Sequence, residues 1–153
     1  MKILMVCLGN ICRSPVAEGI MRQRASEAGL ELDIASCGTA SYHIGEAPDH
    51  RSQKSTKRIG VDISSIRARH FKRMDFTDFD HILCMDKTNL TDLMKLAETE
   101  SEKRKVHLFM EAAFPSENVP VPDPYYGSEQ DFNEVVRIVE QGCDAWINKL
   151  LAS

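Results

Sequence analysis

The chain has 153 residues, 42% of them apolar and 27% charged, and a formal net charge of −4. That length and balance suit one globular domain with a real core, offer no basic excess for nucleic acid, and contain no apolar run near the roughly 18 residues of a membrane span. The five cysteines (Cys7, Cys12, Cys37, Cys84, Cys143) are odd in number and widely spread, which argues against a secreted disulfide scaffold and predicts a reducing, cytoplasmic setting.

Taken in chain order, Lys2–Cys7 predicts a buried strand rather than a signal sequence. Pro15–Ala28 predicts a helix with Ser14 as N-cap, Pro15 at the first helical position and Gly29 as its stop. Leu32–Ser36 reads as a second strand and Asp49–Ile59 as a helix closed by Gly60. His81–Met85 reads as a third strand, followed by a helix over Lys87–Leu96, and Val106–Phe109 as a short fourth. The segment Met110–Gly127 holds Pro115, Pro120, Pro122 and Pro124, so it reads as loop. Phe132, Val135, Val136, Val139, Cys143, Trp146, Ile147 and Leu150 recur every three or four residues and mark one long helix. Cys84 and Cys143 read as core, Glu102–Lys105 as an exposed helix end, and the cluster Arg67, Arg69, His70, Lys72, Arg73 as a solvated face.

Strands alternating with helices predict a three-layer α/β fold, a parallel sheet with helices on both faces. No repeat, low-complexity stretch or linker divides residues 1–153, so a single domain is expected. In such folds ligands sit at the carboxyl ends of strands, where strand order reverses. The loop after the first strand is placed there.

That loop is a chemical device. Five residues separate Cys7 from Arg13, and the loop feeds a helix N-terminus, where backbone N–H groups and the helix dipole favour an anion. Arg13 can add a bidentate fork to two phosphate oxygens. Gly9 permits positive φ and Asn10 tolerates it. The same field favours the thiolate of Cys7, and Ser14 Oγ is placed to donate to it. A thiolate beneath a bound phosphoryl group is a nucleophile for a phosphoester. Cys7 and Cys12 as metal ligands would need further Cys or His at short spacing, and none is near. Attack also needs a proton donor for the leaving oxygen. Asp123, stiffened between Pro122 and Pro124, is the candidate.

The chain resembles the low-molecular-weight protein tyrosine phosphatases in VCLGNICRSP (Val6 to Pro15), ILCMD (Ile82 to Asp86) and DPYYG (Asp123 to Gly127). The resemblance spans essentially the whole chain. It implies a four-stranded parallel sheet, no metal or other cofactor, and phosphotyrosine-containing proteins as partners. It further implies phosphate or vanadate as active-site anions, and a monomer or weak dimer. Cys7 would be the nucleophile, Arg13 the phosphate clamp, and Asp123 the general acid and then base. Leu8, Gly9, Asn10, Ile11, Cys12 and Ser14 would line or hold the phosphate loop. Cys12 would also trap oxidised Cys7 as a disulfide. Tyr42, Tyr125 and Tyr126 would wall the groove, and the two acid-loop tyrosines would be open to phosphorylation. Ile11 resembles tyrosine-selective members, since phosphoarginine-selective relatives carry Thr there. One position departs: many relatives have a His that bonds the loop Asn and the Ser after the second strand. Ser36 is present, but Ile66 stands at the His position, so water or backbone is expected to complete the Asn10 network. An arsenate reductase shares the loop but needs two more neighbouring exposed cysteines. A silent phosphoprotein-binding module would have lost Cys7, Arg13 or Asp123.

Overall fold

A computed structural model describes residues 1–153. Strands β1 (Lys2–Cys7), β2 (Asp33–Gly38), β3 (His81–Cys84) and β4 (Val106–Leu108) form one sheet in the order β2-β1-β3-β4. All three pairings are parallel, with Val6 opposite Cys37 on one side and Cys84 on the other. The chain runs from β1 outward to β2, then returns to the far side of β1 for β3. The strand order therefore reverses at the carboxyl end of β1, where Cys7 ends the strand.

Because side chains alternate along a strand, β1 feeds two cores. Ile3, Met5 and Cys7 face one side, packed with α1 (Ser14–Glu27) and the last helix, α6 (Glu129–Leu151). Leu4 and Val6 face the other, with Phe71, Phe76, Phe79 and Leu93 from α3 (Asp75–Asp78), α4 (Lys87–Leu96) and their flanks. These strand residues are wholly buried; truncating one such as Leu4 to Ala is expected to cost about 2–5 kcal/mol. Arg24 ties α1 to α6 through Glu140 at 2.7 Å and Asp144 at 2.9 Å. Trp146 Nε1 donates to Phe109 O at 2.7 Å. The expected three-layer α/β architecture is present.

Several boundaries differ. Ser14 is the first residue of α1 and Arg13 its cap position, with no side-chain cap. The Ser14 hydroxyl is turned toward Cys7 and Asn10 in the loop after β1 and is not free to cap the helix. Strand β2 starts one residue later than expected and runs two further, pairing through Gly38. Helix α2 spans His50–Lys57, with Asp49 as the cap that accepts from Arg51 N. In the segment read as loop, Phe109–Ala112 forms a 3-10 turn. The short helix α3 escaped the hydrophobic pattern because it is too short to show a period, whereas the exposed helix end read at Glu102–Lys105 falls on α5 (Glu100–Arg104). Helix α5 is held by a Thr99–Glu102 capping box.

Candidate active site

Residues 7–13 curl between β1 and α1 around a cavity of about 240 Å³. Cys7 lies in its floor, 2% exposed. Asn10 N donates to Cys7 Sγ at 3.3 Å, and Ser14 Oγ lies 3.0 Å from the same sulfur. The turn depends on Asn10 at φ 59°, a left-handed conformation that a short amide side chain tolerates. Of the two residues that allow a positive φ, Gly9 does not use it. Its value is space, because a Cβ there would stand 3.0 Å from the His43 ring. Gly38 is likewise required by close approach, since a Cβ would meet Leu8 O at 2.6 Å.

Arg13 is nearly buried and reaches the cavity with its guanidinium held twice. Nη1 donates to Asp86 Oδ2 at 2.6 Å and to Val121 O at 3.1 Å. Burial works against its charge, but Cys7, Asp86 and Asp123 outweigh it, and its pKa is raised. Asp86 serves two elements: its second oxygen caps α4 by accepting from Asn89 N at 2.8 Å. Asp123 stands on the opposite rim, half exposed, 3.7 Å from Arg13 Nη2, and accepts from Tyr125 N at 3.1 Å. Cys12 also lines the cavity. Burial first, then Asp49 and Cys7, push its thiol up to about 12, so it stays protonated.

Leu8, Ile11, Tyr42, Tyr125 and Tyr126 complete the cavity wall together with His43. The structure thus brings ten of the twelve residues expected from sequence to one cavity. Asn10 and Ser14 are buried directly behind the loop. No group of three His, Cys, Asp or Glu side chains converges as a metal would need.

The model of the low molecular weight phosphotyrosine protein phosphatase family matches residues 2–153. The chain belongs to this family. It is 39% identical over 150 residues to the human low molecular weight phosphotyrosine protein phosphatase, covering 96% of this chain and 94% of the human one. A putative low molecular weight protein-tyrosine-phosphatase of Synechocystis is 40% identical over 152 residues, 98% of this chain and 96% of that one. Among solved structures, the Entamoeba histolytica protein tyrosine phosphatase with Hepes in its active site superposes with a TM-score of 0.92 at 39% identity. That match covers 99% of this chain and 97% of that one. The protein is accordingly a phosphatase of the metal-independent, low-molecular-weight class.

Within this phosphatase the Asn10 network is closed by backbone. Arg69 N donates to Asn10 Oδ1 at 3.0 Å, while Asn10 Nδ2 donates to Ser14 Oγ at 2.8 Å and Ser36 Oγ at 3.0 Å. Ile66 packs against the α1 side of the core, and His70 is bonded to Thr39 O at 3.0 Å. Four residues of the site carried no warning in the sequence reading. Asp86 stood inside a quoted motif without a role. His43 is one residue from Tyr42 and bonds Glu46 at 2.7 Å. Arg51, the second residue of α2, donates to Tyr125 O at 3.1 Å and Gly127 O at 3.4 Å, so it fastens the acid loop. Glu18 is the fourth.

Proposed function

We propose that this phosphatase hydrolyses phosphotyrosine in proteins through a phosphocysteine intermediate. The supporting observation is the placement of a thiol, a guanidinium and a carboxyl on three sides of one cavity, at the end of β1. The phosphate dianion would sit against the loop N–H groups, clamped by Arg13. Cys7 Sγ attacks phosphorus as thiolate, the bond from phosphorus to the phenolic oxygen breaks, and Asp123 gives that oxygen its proton. Ionised Asp123 then takes a proton from water, whose oxygen attacks phosphorus and displaces Cys7 Sγ. Ser14 Oγ, 3.0 Å from the sulfur, stabilises the thiolate as attacking and as departing group.

Depth and walls favour an aryl ester. The sulfur is at the floor, while Tyr42, Tyr125 and Tyr126 rise exposed around the mouth. Flat aromatic faces suit a phenyl ring, whereas a phosphoserine side chain reaches less far. Ile11 contributes an apolar wall, consistent with tyrosine rather than phosphoarginine. In this reading the partners are phosphotyrosine-bearing proteins, orthophosphate and vanadate bind as anions, and the same aromatic mouth would mediate any weak dimer. Cytoplasmic residence is part of the proposal; no helix is long and apolar enough to cross a membrane.

The test is hydrolysis of a phosphotyrosine peptide with chelator present. Turnover is expected without metal, and Cys7→Ser is expected to lower kcat by about 10³-fold or more while still binding the peptide. A folded wild-type protein without turnover, or a Cys7→Ser variant that keeps it, would overturn the reading.

A further inference from the structure

Buried side chains the mechanism leaves unused include Glu18, on the α1 face toward β2, 7% exposed. Its Oε1 accepts from Ser36 Oγ at 2.6 Å, and its Oε2 pairs with Arg22 Nη2 at 2.7 Å. Arg22 in turn donates to Ile34 O at 2.8 Å. We propose that Glu18 is a positioning residue for the phosphate loop, acting through Ser36 and Asn10 on Cys7. This inference rests on the nucleophile assignment given above.

The argument is one of proton directions. Arg69 N–H points at Asn10 Oδ1, which fixes the amide so that Nδ2 faces the loop. An amide nitrogen only donates. Its two hydrogens go to Ser14 Oγ and Ser36 Oγ, so both hydroxyls accept from Asn10. Each must then send its own proton elsewhere. Ser14 has Cys7 Sγ at 3.0 Å and Cys37 O at 3.4 Å. Ser36 is 4% exposed and has no water-facing route; Glu18 is its acceptor. Without Glu18, a buried hydroxyl proton is left unsatisfied, which is costly. Ser36 then turns to find another acceptor and withdraws its lone pair from Asn10. Asn10 is the residue held at φ 59° whose own N–H reaches Cys7 Sγ. Slack in its side chain therefore reaches the sulfur directly. The Arg69 backbone closes the Asn10 end of the network, and Glu18 with Arg22 closes the Ser36 end.

The experiment compares Glu18→Met, which removes the acceptor, with Glu18→Gln, which keeps one oxygen for Ser36. Both are made in wild type and in a Ser36→Ala background. Two readouts are taken, steady-state hydrolysis of a phosphotyrosine peptide and orthophosphate binding by calorimetry. Glu18→Met is expected to lower kcat and to weaken orthophosphate by about three- to tenfold each, the range for residues coupled through a buried network. Glu18→Gln is expected to recover most of both losses. In the Ser36→Ala background Glu18→Met is expected to change neither readout further. Should Glu18→Met not fold, Glu18→Asp, one methylene too short to reach Ser36, takes its place with the same expectation. Equal loss in the Gln and Met variants, no loss in either, or an undiminished loss without the Ser36 hydroxyl would each overturn the inference. If the wild type binds orthophosphate in a Glu18-dependent way yet turns nothing over, the hydrolase mechanism fails and the positioning role stands.

Discussion

The two loops that meet at the cavity are built on opposite terms. Residues 7–13 are buried apart from Leu8 and, in part, Gly9, and are tied from four directions: β1 behind, α1 ahead, the Arg69 backbone, and Asp86 at the N-cap of α4. Residues 123–127 are largely exposed, Tyr126 fully so, and are fastened mainly by Arg51 and the internal Asp123–Tyr125 bond. The first loop must fit one anion whose shape never changes, so over-determined geometry is an advantage. In the proposed mechanism the second delivers a proton to esters on differing peptides, so a light tether suits it. Substitutions in the two regions are therefore expected to separate: damage to the first impairs anion binding and chemistry together, damage to the second impairs chemistry alone.

The sharpest way to break this comparison is Asp123→Asn. Loss of the acid is expected to lower kcat by about 10²–10⁴-fold with a phosphotyrosine peptide. Orthophosphate binding is not weakened, because a carboxylate 3.7 Å from Arg13 no longer opposes the anion. A parallel loss of orthophosphate affinity would show that the acid loop is part of the anion cradle after all.

A middle-sized effect is expected at Asp86, which belongs to the rigid region through a split role. Asn is itself a good cap, so Asp86→Asn keeps α4 intact and removes only the charge on Arg13. Asp86→Ala removes both. Each is expected to lower kcat/KM by about tenfold, as Arg13 loses its orienting partner. Only the Ala variant is expected to lose about 1 kcal/mol in urea unfolding. Full activity in Asp86→Asn would mean that Val121 O alone orients the guanidinium.

The sequence exposed these two regions unequally, for a physical reason. Cys7, Arg13 and the strand–loop–helix around them are contiguous, so local rules of capping, dipole and hydrophobic period reach them. The same rules located α4 and the carboxyl end of β1. They misassigned Ser14 as a cap and left open whether Gly9 or Asn10 takes the positive φ. Both points turn on what a side chain meets once the loop has curled: Cys7 and Asn10 for Ser14, and the distant His43 for Gly9. Asp86, Glu18 and Arg51 were missed for the same cause. Each acts on a partner in another element, and its own surroundings in sequence look like ordinary helix. Asn10 is the instructive middle case, because either water or a backbone partner was expected in place of the absent His. Arg69 supplies it, but nothing local marks position 69 as the donor.

The smallest expected effect tests the tether itself. Arg51 stacks over Phe132 at 4.3 Å and over Tyr125 at 5.8 Å while donating to the acid-loop carbonyls. Asp49 anchors it through a bond of 3.0 Å. Burial raises the Asp49 pKa, but the bonds from Arg51 outweigh this and hold it below the usual carboxylate range. A carboxyl lowered on folding contributes stability above its unfolded pKa and loses it only as pH falls through the folded one. The tether therefore stays charged and closed as the pH becomes mildly acidic. Arg51→Met keeps the apolar contact with Phe132 and drops the donors. It is expected to lower kcat by about threefold, well below the roughly hundredfold that a full ångström of misplacement can cost, because the internal Asp123–Tyr125 bond still shapes the loop. The inhibition constant of orthophosphate is expected to stay at the wild-type value across the acidic range. If that constant rises in step with the fall in kcat, the two loops move as one body and the light tether of the acid loop is not a separate device.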